Sequence, residues 1–338
     1  MKPKDRDFVE TVEGHLFCVV GYLHPPDGYT AYLKYVTAPL GKWGRGTTRY
    51  SRALPFYHVA QVENTYEYLR RNLPQYLIDC PVRGFTVSWV PRASVKKYFW
   101  AQRGLREIRS RGARDSLEER LLGLADLLSE VAGVKELGVT GSLLTGIHNP
   151  DFSDMDLTVY GRKTSERLRD AVVRLKEEDG RIQPPSPEEV EAWCRERTGK
   201  FPLTINELRR VAESRWSYGY YEGTYFSVHP TRTDKEITEG YGDNTYRRLG
   251  EVRGTATVVD AGESIYLPAT YIVEDAEIDG RGAEVTRLVS YEGLYGGVFK
   301  EGDRVEFRGV LEEVRGRAPL NQVVVGGAGS PSGYIKWV

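Results

Sequence analysis

The chain has 338 residues, enough for two or three domains with separate cores, and carries a formal net charge of −1 with a pI near 6.6. So balanced a charge excludes a protein that is basic as a whole, and any surface for nucleic acid must be local. No apolar run is long enough to cross a bilayer, and Met1-Lys-Pro-Lys-Asp-Arg-Asp7 is no signal-peptide core. The expectation is a cytoplasmic protein without membrane partners.

Cys18, Cys80 and Cys194 are far apart with no CxxC spacing, which argues against a thiolate zinc site and against a disulfide scaffold. Richness in Arg, Glu, Tyr and Val with few Cys, Met, Asn and Gln resembles the bias of thermophile proteins, in which ion-pair networks are favoured.

In chain order, residues 1–113 read as an N-terminal α+β domain. His15–Tyr22 and Tyr29–Val36 are β-rich runs on either side of the turn signal Pro25-Pro-Asp-Gly28, and Val62–Leu73 is helical until Pro74 stops it. Gly41-Lys-Trp-Gly-Arg-Gly46, continuing through Arg49 and Arg52, is a Gly-rich basic stretch with interleaved aromatics. It is either a solvated loop or a contact for phosphate or RNA.

Residues 114–249 hold the most informative pattern. A capping box, Ser116-Leu-Glu-Glu119, opens a helix with Leu117, Leu121, Leu124 and Leu128 on one face. The strand Leu137–Val139 leads into Gly141-Ser142, a loop spans Ile147–Ser153, and Asp154-Met-Asp-Leu-Thr-Val-Tyr160 alternates as a strand does. Helices are expected over Ser165–Glu178, Pro187–Arg197 and Ile205–Trp216. Residues 250–338 change to β, with five or six strand-like runs between Gly-rich turns, which suggests a small β-barrel that could be OB-like.

Asp154 and Asp156 are two apart on a strand, so both carboxylates project to one face, while Met155, Leu157 and Val159 are free to be buried behind them. Parallel carboxylates repel unless a divalent cation neutralises them, and Mg²⁺, or Mn²⁺ in its place, suits carboxylate and phosphate oxygens. Gly141 permits close backbone approach to an anion, and Ser142 adds a hydroxyl donor at a helix start. A phosphate cradle facing a carboxylate–metal pair is equipment for phosphoryl or nucleotidyl transfer.

The Gly-Ser pair, the loop that follows it and Ser153-Asp-Met-Asp-Leu157 together resemble the DNA polymerase beta nucleotidyltransferase superfamily over roughly residues 117–230. The whole sequence also resembles an archaeal group of predicted nucleotidyltransferases. The resemblance implies an α+β fold with a mixed-sheet nucleotidyltransferase core, in which Gly141 and Ser142 hold the triphosphate of ATP or another NTP and Asp154 and Asp156 hold Mg²⁺. It further implies transfer of a nucleoside monophosphate to an RNA end or a protein side chain.

Superfamily members usually carry a third carboxylate on a later strand. Aligned on Pro230, that position here is Ser227, in Phe226-Ser-Val-His-Pro230. His229 shares a strand face with Ser227 and is a candidate base or outer ligand; Glu222 and Asp234 are the other candidates for the missing acid. With none in place, the alternative is a nucleotide- or RNA-binding regulator on the same fold. His148 is either an exposed loop residue or a triphosphate contact, and the aromatic-rich stretch of Tyr218, Tyr220, Tyr221, Tyr225 and Tyr241 is either strand packing or a base-stacking surface.

Overall fold

The computed structural model describes residues 1–53, 62–279, 282–326 and 332–338. In chain order the strands and helices are β1 (Phe8–Thr11), β2 (Leu16–Val19), β3 (Gly28–Thr37), β4 (Trp43–Arg45), β5 (Thr48–Arg52), α1 (Val62–Asn72), β6 (Leu77–Cys80), β7 (Phe85–Pro91), β8 (Val95–Phe99), α2 (Ala101–Arg111), α3 (Ser116–Ala132), β9 (Leu137–Val139) and α4 (Gly141–Thr145). They continue with β10 (Met155–Tyr160), α5 (Arg162–Arg174), β11 (Ile182–Gln183), α6 (Pro187–Thr198), α7 (Ile205–Ser214), β12 (Tyr218–Tyr221), β13 (Thr224–Thr231), β14 (Asn244–Asp260), β15 (Ala269–Ile278), β16 (Arg287–Ser290), β17 (Arg304–Gly316), β18 (Leu320–Val325) and β19 (Tyr334–Trp337). The fold is α+β, with several sheets and, among the described residues, seven α-helices. No helix of the described residues is long and apolar enough to cross a membrane.

Packing divides the chain into two compact units. One holds residues 1–53, Ser88–Pro185 and Trp216–Thr238; the other holds residues 62–87, Ser186–Arg215 and the described part of Glu239–Val338. The first unit contains two sheets. One runs β4-β5-β3-β2-β1-β8, and the other runs β11-β12-β13-β10-β9. In the second sheet β10 and β13 are parallel neighbours, with Met155 opposite Phe226 and Asp156 opposite Ser227. The inward alternation Met155, Leu157, Val159 meets Phe226 and Val228, and all are buried. The leucine face of α3, Leu117, Leu121, Leu124 and Leu128, closes the same core with Leu168, Ala171 and Val172 of α5. This burial of continuous apolar surface fixes the register of β10, since a slip by one residue would turn Asp156 into the core.

The cap of α3 lies one residue earlier than the sequence pattern places it. Asp115, not Ser116, is the N-cap, and its carboxylate accepts from the amides of Leu117 and Glu118 at 3.0 Å each. Asp is as good a cap as Ser, and two adjacent cap-type residues leave the choice to tertiary packing. The basic stretch at Gly41–Arg52 is likewise not an open loop: β4 and β5 form a hairpin there, with Trp43 paired to Tyr50.

In the second unit a core of Val252, Val258, Tyr271, Leu288, Phe307, Val323 and Ile335 is shared by β14–β19, and Cys194, Leu208 and Val211 of α6 and α7 pack into it. The sheet runs β14-β15-β16-β18-β17-β19, and β14 also pairs antiparallel with β17 along nearly its whole length. The alternating charges of this region form cross-strand pairs, Arg253 with Glu306 and Arg308 with Glu251, at 2.7 and 2.9 Å. Pairs this exposed are screened by solvent and contribute little to stability.

Gly138 on β9 allows α2 to lie close against the nucleus of the second sheet. A Cβ there would sit 2.6 Å from the carbonyl oxygen of Ala101 and 2.4 Å from Thr158 Oγ1. The Ala101 amide is itself held by Asp7 Oδ1 at 2.8 Å, so the helix start has little room to yield. Gly138→Ala should therefore lower the urea midpoint of the protein by the equivalent of about 2–3 kcal/mol, in the range of overpacked cores. A loss below about 0.5 kcal/mol would show that α2 is free to move.

Candidate active site

Three segments converge on the start of β10. Asp156 is the second residue of β10, and Asp154 stands just before the strand, exposed to solvent. Parallel pairing with β13 puts Ser227 directly beside Asp156, and Ser227 Oγ donates a hydrogen bond to Asp156 Oδ1. Ser227 Oγ also lies 2.8 Å from His229 Nε2, which is 3.8 Å from Asp156 Oδ1. A serine hydroxyl has one proton. With that proton given to the carboxylate, the serine oxygen can only accept from His229, so Nε2 carries hydrogen and Nδ1 is the acceptor tautomeric position.

The second segment is the turn between β9 and α4. The Thr140 amide donates to the Asp156 carbonyl oxygen at 2.9 Å, locking the turn to β10. Gly141 has φ +68°, and a Cβ on it would stand 2.7 Å from Asp156 Oδ2. Both facts require glycine: the left-handed backbone disfavours a side chain, and the space belongs to the carboxylate. Ser142, in the first turn of α4, is buried, and its carbonyl accepts from the Ile147 amide at 3.0 Å.

The third segment is the N-terminal strand region. Thr140 Oγ1 donates to the Arg6 carbonyl oxygen at 2.6 Å, which brings Arg6 beside the glycine turn. Arg6 has φ +72°, a conformation that strains a side-chain-bearing residue and tends to collect at functional sites. Asp154 has Asp156, Arg52 and Lys34 as its charged neighbours. Although Asp154 reaches solvent, desolvation by the groups packed around it and then the negative charge of Asp156 push its pKa up to about 6, against the pull of Arg52 and Lys34. Burial also opposes ionisation of Asp156, but contact with His229 and Ser227 and the charge of Lys34 outweigh it and hold that carboxyl well below the ordinary range. His229 is pushed down to about 4, first by burial and then by the nearby charge of Arg6, so its ring is neutral at neutral pH.

Residues 122–211 match the family model of the nucleotidyltransferase domain. Over 318 residues the chain is 28% identical to an uncharacterised protein of Methanocaldococcus jannaschii, covering 93% of this chain and 92% of that one. No solved structure matches. Gly141, Ser142, Asp154 and Asp156 lie inside the stretch that matches the nucleotidyltransferase domain, whereas Ser227, His229 and the cations Arg6, Lys34 and Arg52 lie outside it.

Neither alternative acid replaces Ser227. Asp234 is paired with Lys4 and accepts from the Lys2 amide at 3.2 Å. Glu222 occupies the turn between β12 and β13 at φ +46°, and five residues of strand separate it from Ser227, roughly 16 Å. Arg6 and Lys34 are site neighbours that the sequence pattern does not single out; Arg52 closes the basic stretch that it does. The tyrosines of β12 and β13 pack on one another, Tyr220 against Tyr225 with ring centroids 5.5 Å apart.

His148 is not an exposed loop residue. Its side chain is enclosed, with Nε2 2.9 Å from Asp115 Oδ2 and 3.8 Å from Glu118 Oε1. Asp115, Glu118 and His148 bring three ligand-type atoms within 4.8 Å of one another. Arg111 and Arg114 already neutralise Glu118, at 2.6 and 3.0 Å.

Two expectations follow. Gly141→Ala should abolish or cut nucleotide binding by at least about tenfold, since its methyl group must displace either the Asp156 carboxylate or the turn; unchanged binding in a titration with Mg²⁺ and NTP would refute the packing just described. Burial alone would raise the Glu118 pKa, but hydrogen bonds from Arg111 and Arg114 bring it down to about 2. The folded-state value is therefore below the unfolded one, so this stabilisation is complete above about pH 4.5 and is lost as the pH falls toward 2. Glu118→Gln should lose about 2 kcal/mol near neutrality, after allowing for solvent around both arginines, and should flatten the stability profile across that acid window. Denaturant titrations at pH 7, 4 and 3 check both points.

Proposed function

We propose that this protein is a Mg²⁺-dependent nucleotidyltransferase that moves a nucleoside monophosphate from an NTP to an acceptor hydroxyl or phosphate and releases pyrophosphate. The observation that carries this reading is the pair Asp154 and Asp156 at one strand end, with the Gly141 turn in the space beside Asp156 Oδ2. The pair fits a divalent cation: two carboxylates lie close enough to oppose each other's ionisation, and the glycine leaves them open on the side of the turn. Mg²⁺, or Mn²⁺, would be held by Asp154 and Asp156 and would supply charge for the phosphates of the bound nucleotide.

The chain's own groups account for the rest. Gly141 and Ser142 offer the turn and the helix start to the triphosphate. Arg6, Lys34 and Arg52 supply positive charge in the neighbourhood of Asp154, Asp156 and His229; once the carboxylates are matched by a metal, that charge favours a polyanion. Ser227 orients Asp156, and His229 orients Ser227, so His229 acts by positioning while its ring stays neutral. In the transfer, the acceptor oxygen forms a bond to the α-phosphorus and the bond to the bridging oxygen breaks. Pyrophosphate leaves, and the acceptor proton passes to solvent.

The acceptor in this reading is an RNA end or a protein side chain, and the compartment is the cytoplasm. The strand order β14-β15-β16-β18-β17, with β14 closing onto β17 and β16 parallel to β18, supports an OB-like barrel as the flanking module. Ser227 favours a second reading, a nucleotide- or RNA-binding regulator in which lack of the third acid has removed turnover.

Incubation with each α-labelled NTP and Mg²⁺ or Mn²⁺, with total RNA and with protein alone, separates these. Label should pass to one acceptor in the wild type and fall by at least about 100-fold in Asp154→Ala/Asp156→Ala. Binding of Mg²⁺-NTP without transfer would establish the regulator. Labelling unaffected by the double substitution would remove both.

A further inference from the structure

Phe152 stands two residues before Asp154, so their Cα atoms are no more than about 7 Å apart. It is 46% exposed, and among the described residues no other Phe or Trp is classed as exposed. A single exposed apolar side chain is ordinary on a protein surface. Here, however, the ring is built into place. The turn that carries it is tied by Asn149, whose carbonyl accepts from the amides of Phe152 and Ser153 at 3.3 and 2.9 Å and whose amide donates to Ser153 Oγ at 2.9 Å.

The hairpin β4–β5 braces this turn from the other side. The Gly44 amide donates to the Ile147 carbonyl at 2.9 Å, and Arg45 donates to the Thr145 carbonyl at 3.2 Å. Trp43 then meets Phe152 edge to face, with centroids 5.5 Å apart and planes at 83°. Trp43 is itself backed by buried Tyr35 at 5.5 Å, and the guanidinium of Arg52 lies 5.2 Å over the Trp43 ring. Arg52 also feels Asp154. The surface next to the carboxylates is thus a fixed aromatic ring with an exposed cation beside it. A planar π-system linked to phosphate matches both features, since bases stack on aromatic rings regardless of sequence while a guanidinium takes the charge.

The geometry points to Phe152, held by Trp43 and flanked by Arg52, as a stacking shelf for a nucleobase at the mouth of the site. The base is either that of the NTP or that of the last nucleotide of a single-stranded nucleic-acid acceptor. This inference rests on the transferase reading for the position of the phosphates.

The test uses the full chain, with Phe152→Ala and Phe152→Trp compared against wild type by equilibrium titration in Mg²⁺. Three probes are needed: an α,β-methylene NTP, inorganic tripolyphosphate, and a short single-stranded RNA. Circular dichroism confirms folding of both variants. Phe152→Ala should weaken the NTP analogue or the RNA by roughly 5- to 150-fold, leave tripolyphosphate within about twofold, and be rescued by Phe152→Trp. A loss confined to the analogue assigns the shelf to the NTP base, and a loss confined to RNA assigns it to the acceptor. Equal affinities of Phe152→Ala and wild type for both base-bearing probes would overturn the proposal. Tripolyphosphate binding that ignores Asp154→Ala/Asp156→Ala would instead overturn the transferase reading, so the two failures are distinct.

Discussion

Two like charges forced together at the start of β10 are the constraint around which the first unit is organised. Asp154 and Asp156 cannot both ionise freely: desolvation first, and then the charge of Asp156, pushes Asp154 up to about 6 beside a strongly acidic Asp156. The protein keeps them adjacent because β10 has no alternative register: Met155, Leu157 and Val159 are fully buried. Apolar burial over six residues of strand thus holds in place an electrostatic arrangement that is unfavourable by itself. Such conflicts between local stability and global fold tend to occur at functional sites.

The rest of the unit reads as a response to this pair. Hydrogen bonds from Ser227 and positive charge from Lys34 stabilise Asp156, and Arg52 and Lys34 face Asp154. All of these cations come from the first 53 residues, far from β10 in sequence. The strand region that provides them is bound to the glycine turn by the bond from Thr140 to Arg6, so charge compensation and turn geometry are fixed by one contact. This explains why Arg6 is retained in a strained conformation: its carbonyl is used by Thr140 and its side chain pairs with Asp5 at 3.3 Å.

The local parts of this arrangement were legible in the sequence. Strand alternation at Asp154–Tyr160, the Gly141-Ser142 turn and the leucine face of α3 depend on residues within a few positions of one another, and periodicity reports such features directly. Helices α6 and α7 were legible for the same reason, from Ser186 before Pro187 and from Thr204 with Glu207, and in the structure each start closes into a reciprocal capping box. What was not legible is long-range. Nothing around Lys34 or Arg6 marks either as a neighbour of residues more than 100 positions away. The enclosure of His148 depends on Asp115 and Glu118 from another element, and a loop position by itself suggested exposure. The choice of Asp115 over Ser116 as the cap was lost because both residue types suit that place and only the His148 contact separates them.

Ser227 is where chemistry and structure meet most closely. A carboxylate there would face Asp156 across a parallel strand pair and add a third negative charge to a site already in conflict. Serine reverses the sign of that contact, from repulsion to a hydrogen bond, and His229 completes it through the serine oxygen. One carboxylate oxygen of Asp156 is thereby engaged by Ser227, and the other, Oδ2, faces the Gly141 turn. A divalent cation held by Asp154 and Asp156 would have fewer protein oxygens than three acids would give, and would leave more of its shell to phosphate oxygens of a nucleotide. Metal and nucleotide would then bind as a unit, each raising the affinity of the other, and the positive charge of Arg6, Lys34 and Arg52 would favour that unit over the bare metal.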